Sequence, residues 1–105
     1  MAYEYAVSFE IKSDTTYSER YQSFMDEIRN TPGEPYLWSE TTSFVLLTSN
    51  EKIDDLEHRL YYNSKLNSAK DKLLVIDHHS GVAVARGPFE YPATLKSHFK
   101  SCVVK

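Results

Sequence analysis

From Tyr3 to Ile11 the chain alternates without a break, Tyr3, Tyr5, Val7, Phe9 and Ile11 being large and apolar and Glu4, Ala6, Ser8 and Glu10 small or polar. A period of two sends successive side chains to opposite faces, so this segment predicts a strand with one large apolar face. After Thr16 the period changes. Tyr17, Tyr21, Phe24, Met25 and Ile28 recur at steps of three and four and predict one apolar helical stripe. Thr16 and Glu19 have the spacing of a capping box, and Thr31-Pro32-Gly33 ends the helix because proline cannot continue it. Residues 36–39 then predict a short strand, Glu40-Thr41-Thr42 a hairpin connection, and residues 43–48 a strand whose Phe44-Val45-Leu46-Leu47 is apolar on both faces.

Thr48 and Glu51 repeat the capping-box spacing, and Ile53, Leu56 and Leu60 define a second amphipathic helix that fades by Asn63 and Ser64. Residues 73–76 are a continuous apolar run, hence a strand buried on both sides; Ser80-Gly81 turns the chain, and residues 82–85 predict a fifth strand. The order β-α-β-β-α-β is that of a ferredoxin-like α+β sandwich, an antiparallel sheet with two helices on one face. The expected domain is 1–87. Residues 88–105 form a C-terminal extension with a helical turn or two over residues 95–99, and the last residues are expected to be disordered. The two-sided apolar strands leave a sheet face to cover, so a symmetric homodimer is expected, with the C-terminal segment as the alternative cover.

Composition adds limits. At 105 residues, 41% hydrophobic and 26% charged, the chain suits one globular domain rather than a disordered one. A net charge of −3 provides no general basic footprint for phosphate backbones, so nucleic-acid binding would need positive charge concentrated locally or by a dimer. The single cysteine, Cys102, has no internal disulfide partner and cannot make a zinc site alone. With no signal-peptide pattern at Met1–Tyr5 and no run of about 18 apolar residues, the expectation is a cytoplasmic protein without a membrane partner.

Glu10, near the end of the first strand on its polar face, is the first candidate for chemistry, with Asp14 in the loop beyond it. A carboxylate at a strand end can hold a hard cation such as Mg²⁺, and a two-fold dimer can bring two Glu10 side chains together; a solvated surface glutamate is the competing explanation. Asp77-His78-His79 is the densest titratable cluster, and imidazole with carboxylate suits metal binding or acid–base work near neutral pH. Adjacent residues of an extended strand point to opposite faces, however, so His78 and His79 are not expected to share a ligand, and a polar strand end explains them equally well. His58 reads as an exposed helix residue, and Tyr61 and Tyr62 as packing residues rather than base-stacking platforms. No nucleophile elbow, Gly-rich phosphate loop or dinucleotide fingerprint is present in the sequence, which disfavours kinases, NTPases and dehydrogenases.

Phe9-Glu10-Ile11, directly before a polar loop and a helix, resembles the strand ending of the small CRISPR-associated adaptation proteins, whose superfamily includes the virulence-associated D-type ribonucleases. Glu40-Thr41-Thr42-Ser43-Phe44-Val45, Asp71-Lys72-Leu73-Leu74-Val75 and Ala85-Arg86-Gly87 are similar to later segments of relatives in that superfamily, and the likeness spans residues 3–87. The resemblance implies a ferredoxin-like homodimer and a metal-dependent endonuclease or endoribonuclease in which Glu10 holds Mg²⁺ or Mn²⁺. The superfamily's acidic residue is an aspartate where this chain has Glu10, and the basic residues that follow it there are missing from Ser13-Asp14-Thr15-Thr16. The alternative is a non-catalytic dimeric module that binds nucleic acid or protein. Fold analogy alone offers a small-ligand regulatory domain.

Overall fold

The alternating segment forms β1 (Tyr3–Glu10), an interior strand of the sheet. The computed structural model describes residues 2–32, 37–41 and 43–105. Along the chain follow α1 (Tyr17–Arg29), β2 (Trp38–Thr41), β3 (Phe44–Ser49), α2 (Ile53–Tyr62), β4 (Lys72–Asp77), β5 (Val82–Arg86), α3 (Pro92–Ser97) and β6 (Ser101–Val104). The strands make one sheet in the order β2-β3-β1-β4-β5-β6. Its neighbouring pairs are antiparallel except β5 and β6, which run parallel. Gly33, Tyr36 and Thr42, expected at a helix end, in a strand and in a hairpin, lie outside the described residues.

This corrects the expected fold class. Over the described residues the chain is α+β with a six-stranded mixed sheet and three helices, not a two-helix ferredoxin-like sandwich of antiparallel strands. The cause lies after Gly87. A parallel neighbour needs a crossover of about a dozen residues, which the chain between β5 and β6 supplies. Pro92 sits in the first turn of α3, where a missing N–H is harmless. Residues 101–104, expected to be disordered, carry two valines and pair with the free edge of β5, Ala83 opposite Cys102 and Ala85 opposite Val104.

Both predicted capping boxes are also corrected. Thr16 and Lys52 stand at the N-caps of α1 and α2, and neither makes a side-chain cap bond. The Thr16 hydroxyl instead donates to Asp14 Oδ1 at 3.1 Å. Glu51 accepts from Ser49 Oγ and from Arg59, whose guanidinium also reaches Glu27 and the Thr31 hydroxyl and so ties α2 to α1. Charged partners other than the cap amides claim these groups, Asp14 for Thr16 and Arg59 for Glu51, and the capping motif gives way.

One face of the sheet holds the core. Tyr5, Val7, Phe9, Val45, Leu47, Leu73 and Val75 pack with Phe24, Met25 and Ile28 of α1 and Leu56 and Leu60 of α2. Full burial of such side chains contributes roughly 1.5–3 kcal/mol each. The register fixes the other face as two rows. Trp38, Leu46, Ala6, Ile76, Ala83 and Cys102 form one; Phe44, Ser8, Leu74, Ala85 and Val104 form the next. Ala83 and Ala85 are fully buried, whereas Trp38 and Leu46 are each 37% exposed. The second face is therefore closed towards β5 and open over β2, β3 and β1.

Candidate functional site

Glu10 projects from the end of β1 on the open face, with its side chain 74% exposed. Its register partner is Lys72, whose Nζ lies 3.7 Å from Glu10 Oε1. A lysine ammonium competes with a metal ion for those oxygens. Asp14 is engaged elsewhere: Oδ1 accepts from Thr16 N and Arg20, and Oδ2 from Lys70 Nζ at 2.8 Å. The Arg20 and Lys70 bonds hold its carboxyl well below the usual carboxylate range. Asp14 thus organises the loop into α1.

Asp77 turns its carboxylate back onto the chain. Oδ1 accepts from His79 N at 3.1 Å and Ser80 N at 3.2 Å, while Gly81 N donates to the Asp77 carbonyl at 2.9 Å. Gly81 has φ +74°, a conformation that favours glycine. The strand therefore stops at Asp77, and His78 and His79 belong to the turn. Strand alternation no longer applies to them, and the expectation that the two imidazoles point apart is corrected: their ring centroids are 4.7 Å apart. Pairing of Tyr5 with Asp77 brings Glu4 alongside, and His79 Nε2 contacts Glu4 Oε2 directly.

Among the described residues, Glu4, His78 and His79 are the group whose potential ligand atoms converge, all within 4.8 Å of one another. Glu10, Asp14 and Asp77 do not join it. Glu4 went unmarked in the sequence because a polar residue on a strand's small face is ordinary. The signal that could have found it is register, since any antiparallel pairing that sets Tyr5 against Asp77 places Glu4 next to His78.

The open face has relief. On β1 the small Ala6 and Ser8 lie between larger neighbours, Leu46 and Phe44 on β3 and Ile76 and Leu74 on β4. A trough follows the strand, with a cavity at each end. One, about 390 Å³, is bordered by Ser8, Glu10, Phe44, Lys72, Leu74 and Phe89, so the chain after β5 turns over this face. The other, about 300 Å³, is bordered by Glu4, Trp38, Leu46, Thr48 and His78. Trp38 packs edge-on against Phe44 and donates from its indole to Glu40 at 2.6 Å.

No helix among the described residues is long and apolar enough to cross a membrane. No family model matches this chain, and neither the curated proteins nor the solved structures contain a match, so no family or superfamily is supported.

Proposed function

We propose that this protein is a non-catalytic binding module that pairs with a second copy of itself through the open face of its sheet. The observation that carries the reading is the ridge of Trp38, Phe44 and Leu46 beside the trough floored by Ala6 and Ser8. Around a two-fold axis the ridge of one copy can seat in the trough of the other, which is the self-complementarity a symmetric dimer requires. Charge does not oppose the pairing at Glu10, which is matched by Lys72 within each copy. Trp38 and Leu46 would gain the area they now leave in water, at roughly 25 cal/mol per Å².

Phosphodiester hydrolysis at Glu10 is not part of this reading. Mg²⁺ and Mn²⁺ select sites rich in oxygen ligands, and the neighbour that meets the Glu10 carboxylate is the Lys72 ammonium. Sedimentation equilibrium tests the proposal. The expected result is a dimer that Leu46→Glu converts to a monomer of unchanged circular dichroism, while Asp55→Lys, at an exposed position on α2, leaves it dimeric. A wild-type chain that stays monomeric up to millimolar concentration overturns it.

A further inference from the structure

We propose that Glu4, His78 and His79 form a binding site for a divalent transition metal of the zinc, nickel or copper class at one end of the sheet. The proposal stands apart from self-association and needs one copy of the chain. It begins with the ligand set. Two imidazoles are borderline ligands that suit Zn²⁺, Ni²⁺ or Cu²⁺, and two histidines with one glutamate are a known zinc ligand set, whereas Mg²⁺ and Ca²⁺ select all-oxygen sites. Three protein ligands leave a fourth tetrahedral position open to water or an added ligand.

Geometry supports it. Metal–ligand bonds of about 2.0–2.1 Å place tetrahedral ligand atoms roughly 3.3 Å apart. The three candidate atoms already lie within 4.8 Å of one another, so they need to close by about 1.5 Å at most. The His79 and Glu4 side chains are 67% and 57% exposed, which leaves both room to rotate. The direct contact of His79 Nε2 with Glu4 Oε2 sets two of the three candidate ligand atoms side by side.

The backbone beneath is built to hold this arrangement. Glu4 is fixed on β1 opposite Thr48, and the pairing of Tyr5 with Asp77 sets the turn after β4 on its other side. The Asp77 carboxylate binds the amides of His79 and Ser80, setting both histidines on one side of the turn. Asp77 is thus a positioning residue, and its oxygen bonded to two N–H groups is not offered to a metal. Without this turn, neighbouring histidines at a strand end would diverge, and the site would not exist.

Calorimetric titration of the intact protein with ZnCl₂ and NiCl₂ is the test, with Co²⁺ absorption reporting the ligand field. Cys102 is a free thiol and thiolates ligate Zn²⁺, so the titrations are repeated in Cys102→Ser to separate any such contribution. The expected result is one metal ion per chain in both backgrounds. His78→Ala, His79→Ala and Glu4→Gln should each weaken binding by more than about tenfold, since even outer-shell partners of a metal are worth that much. His58→Ala and His98→Ala should leave it unchanged, and a large excess of Mg²⁺ should not compete. Equal affinity in the His78→Ala/His79→Ala double variant, with its thermal melt preserved, overturns the proposal; so does loss of the site in Cys102→Ser.

Discussion

Asp71 is 3% exposed, and its carboxylate accepts from Lys12 N at 2.9 Å, Arg20 Nε at 3.0 Å and Asn67 N at 3.0 Å. Arg20 is itself 4% exposed, so the pair is buried and joins the end of β1, α1 and the approach to β4. Removing one partner of such a pair strands the other and costs about 3–5 kcal/mol. Arg20 keeps its bonds to Asp14 and the Lys12 carbonyl, which places Asp71→Ala at about 3 kcal/mol. Urea unfolding should show the midpoint fall with an unchanged slope; a loss under 1 kcal/mol would mean that Asp14 alone satisfies Arg20. Apolar periodicity could not disclose this pair. It marks which side chains leave water, and Arg20 interrupts the α1 stripe while its buried partner Asp71 lies 51 residues further along the chain. The placement of His78 and His79 is hidden for a related reason, because strand alternation does not extend to the two residues past Asp77, where the strand ends.

α2 was visible from Ile53, Leu56 and Leu60, yet the side chain that anchors it to the sheet is Glu57, fully buried. Glu57 receives Arg86 Nε at 2.7 Å and a second guanidinium bond at 3.0 Å, with Lys105 Nζ at 3.3 Å. The Arg86 guanidinium also lies over the rings of Tyr61 and Tyr62, so those tyrosines form a cation–π clamp. Burial pushes the Glu57 carboxyl up, and Arg86, helped by Lys105, more than reverses this and holds it below the ordinary value. A carboxyl depressed on folding stabilises the protein above its unfolded pKa of about 4.3, and that contribution is lost as pH falls through the folded value. Glu57→Gln is therefore expected to cost about 3 kcal/mol at neutral pH, with the gap to wild type narrowing in acid. Urea midpoints of both proteins at about pH 7 and about pH 3 check this. A gap that stays constant would show that the bond geometry of Glu57, rather than its charge, is what matters. The elements were evident because periodicity builds elements; the ionic contacts between them depend on tertiary approach and are not written in any local pattern.

At the scale of the molecule, the decisive addition is β6. Its parallel pairing turns β5 from an edge into an interior strand, and Lys105 extends the seal through its amide, which donates to the Ala85 carbonyl at 2.8 Å, and through its ammonium on Glu57. Removing residues 101–105 would uncover the run Val82-Ala83-Val84-Ala85, an apolar edge with unpaired backbone groups of the kind that recruits other strands. A loss of about 2 kcal/mol, spread over a domain of this size, lowers the melting temperature by about 10 °C. Scanning calorimetry should show that fall, and light scattering should show aggregation on heating that the full chain lacks. The truncation also separates two routes to association. Pairing through the trough depends on β2, β3, β1 and β4, so below its melting point the truncated chain should still form the dimer that Leu46→Glu abolishes. If Leu46→Glu leaves the truncated chain associated, association there runs along the new β5 edge. If the truncated chain is monomeric while the full chain is dimeric, the partner surface lies on β6 and not on the open face.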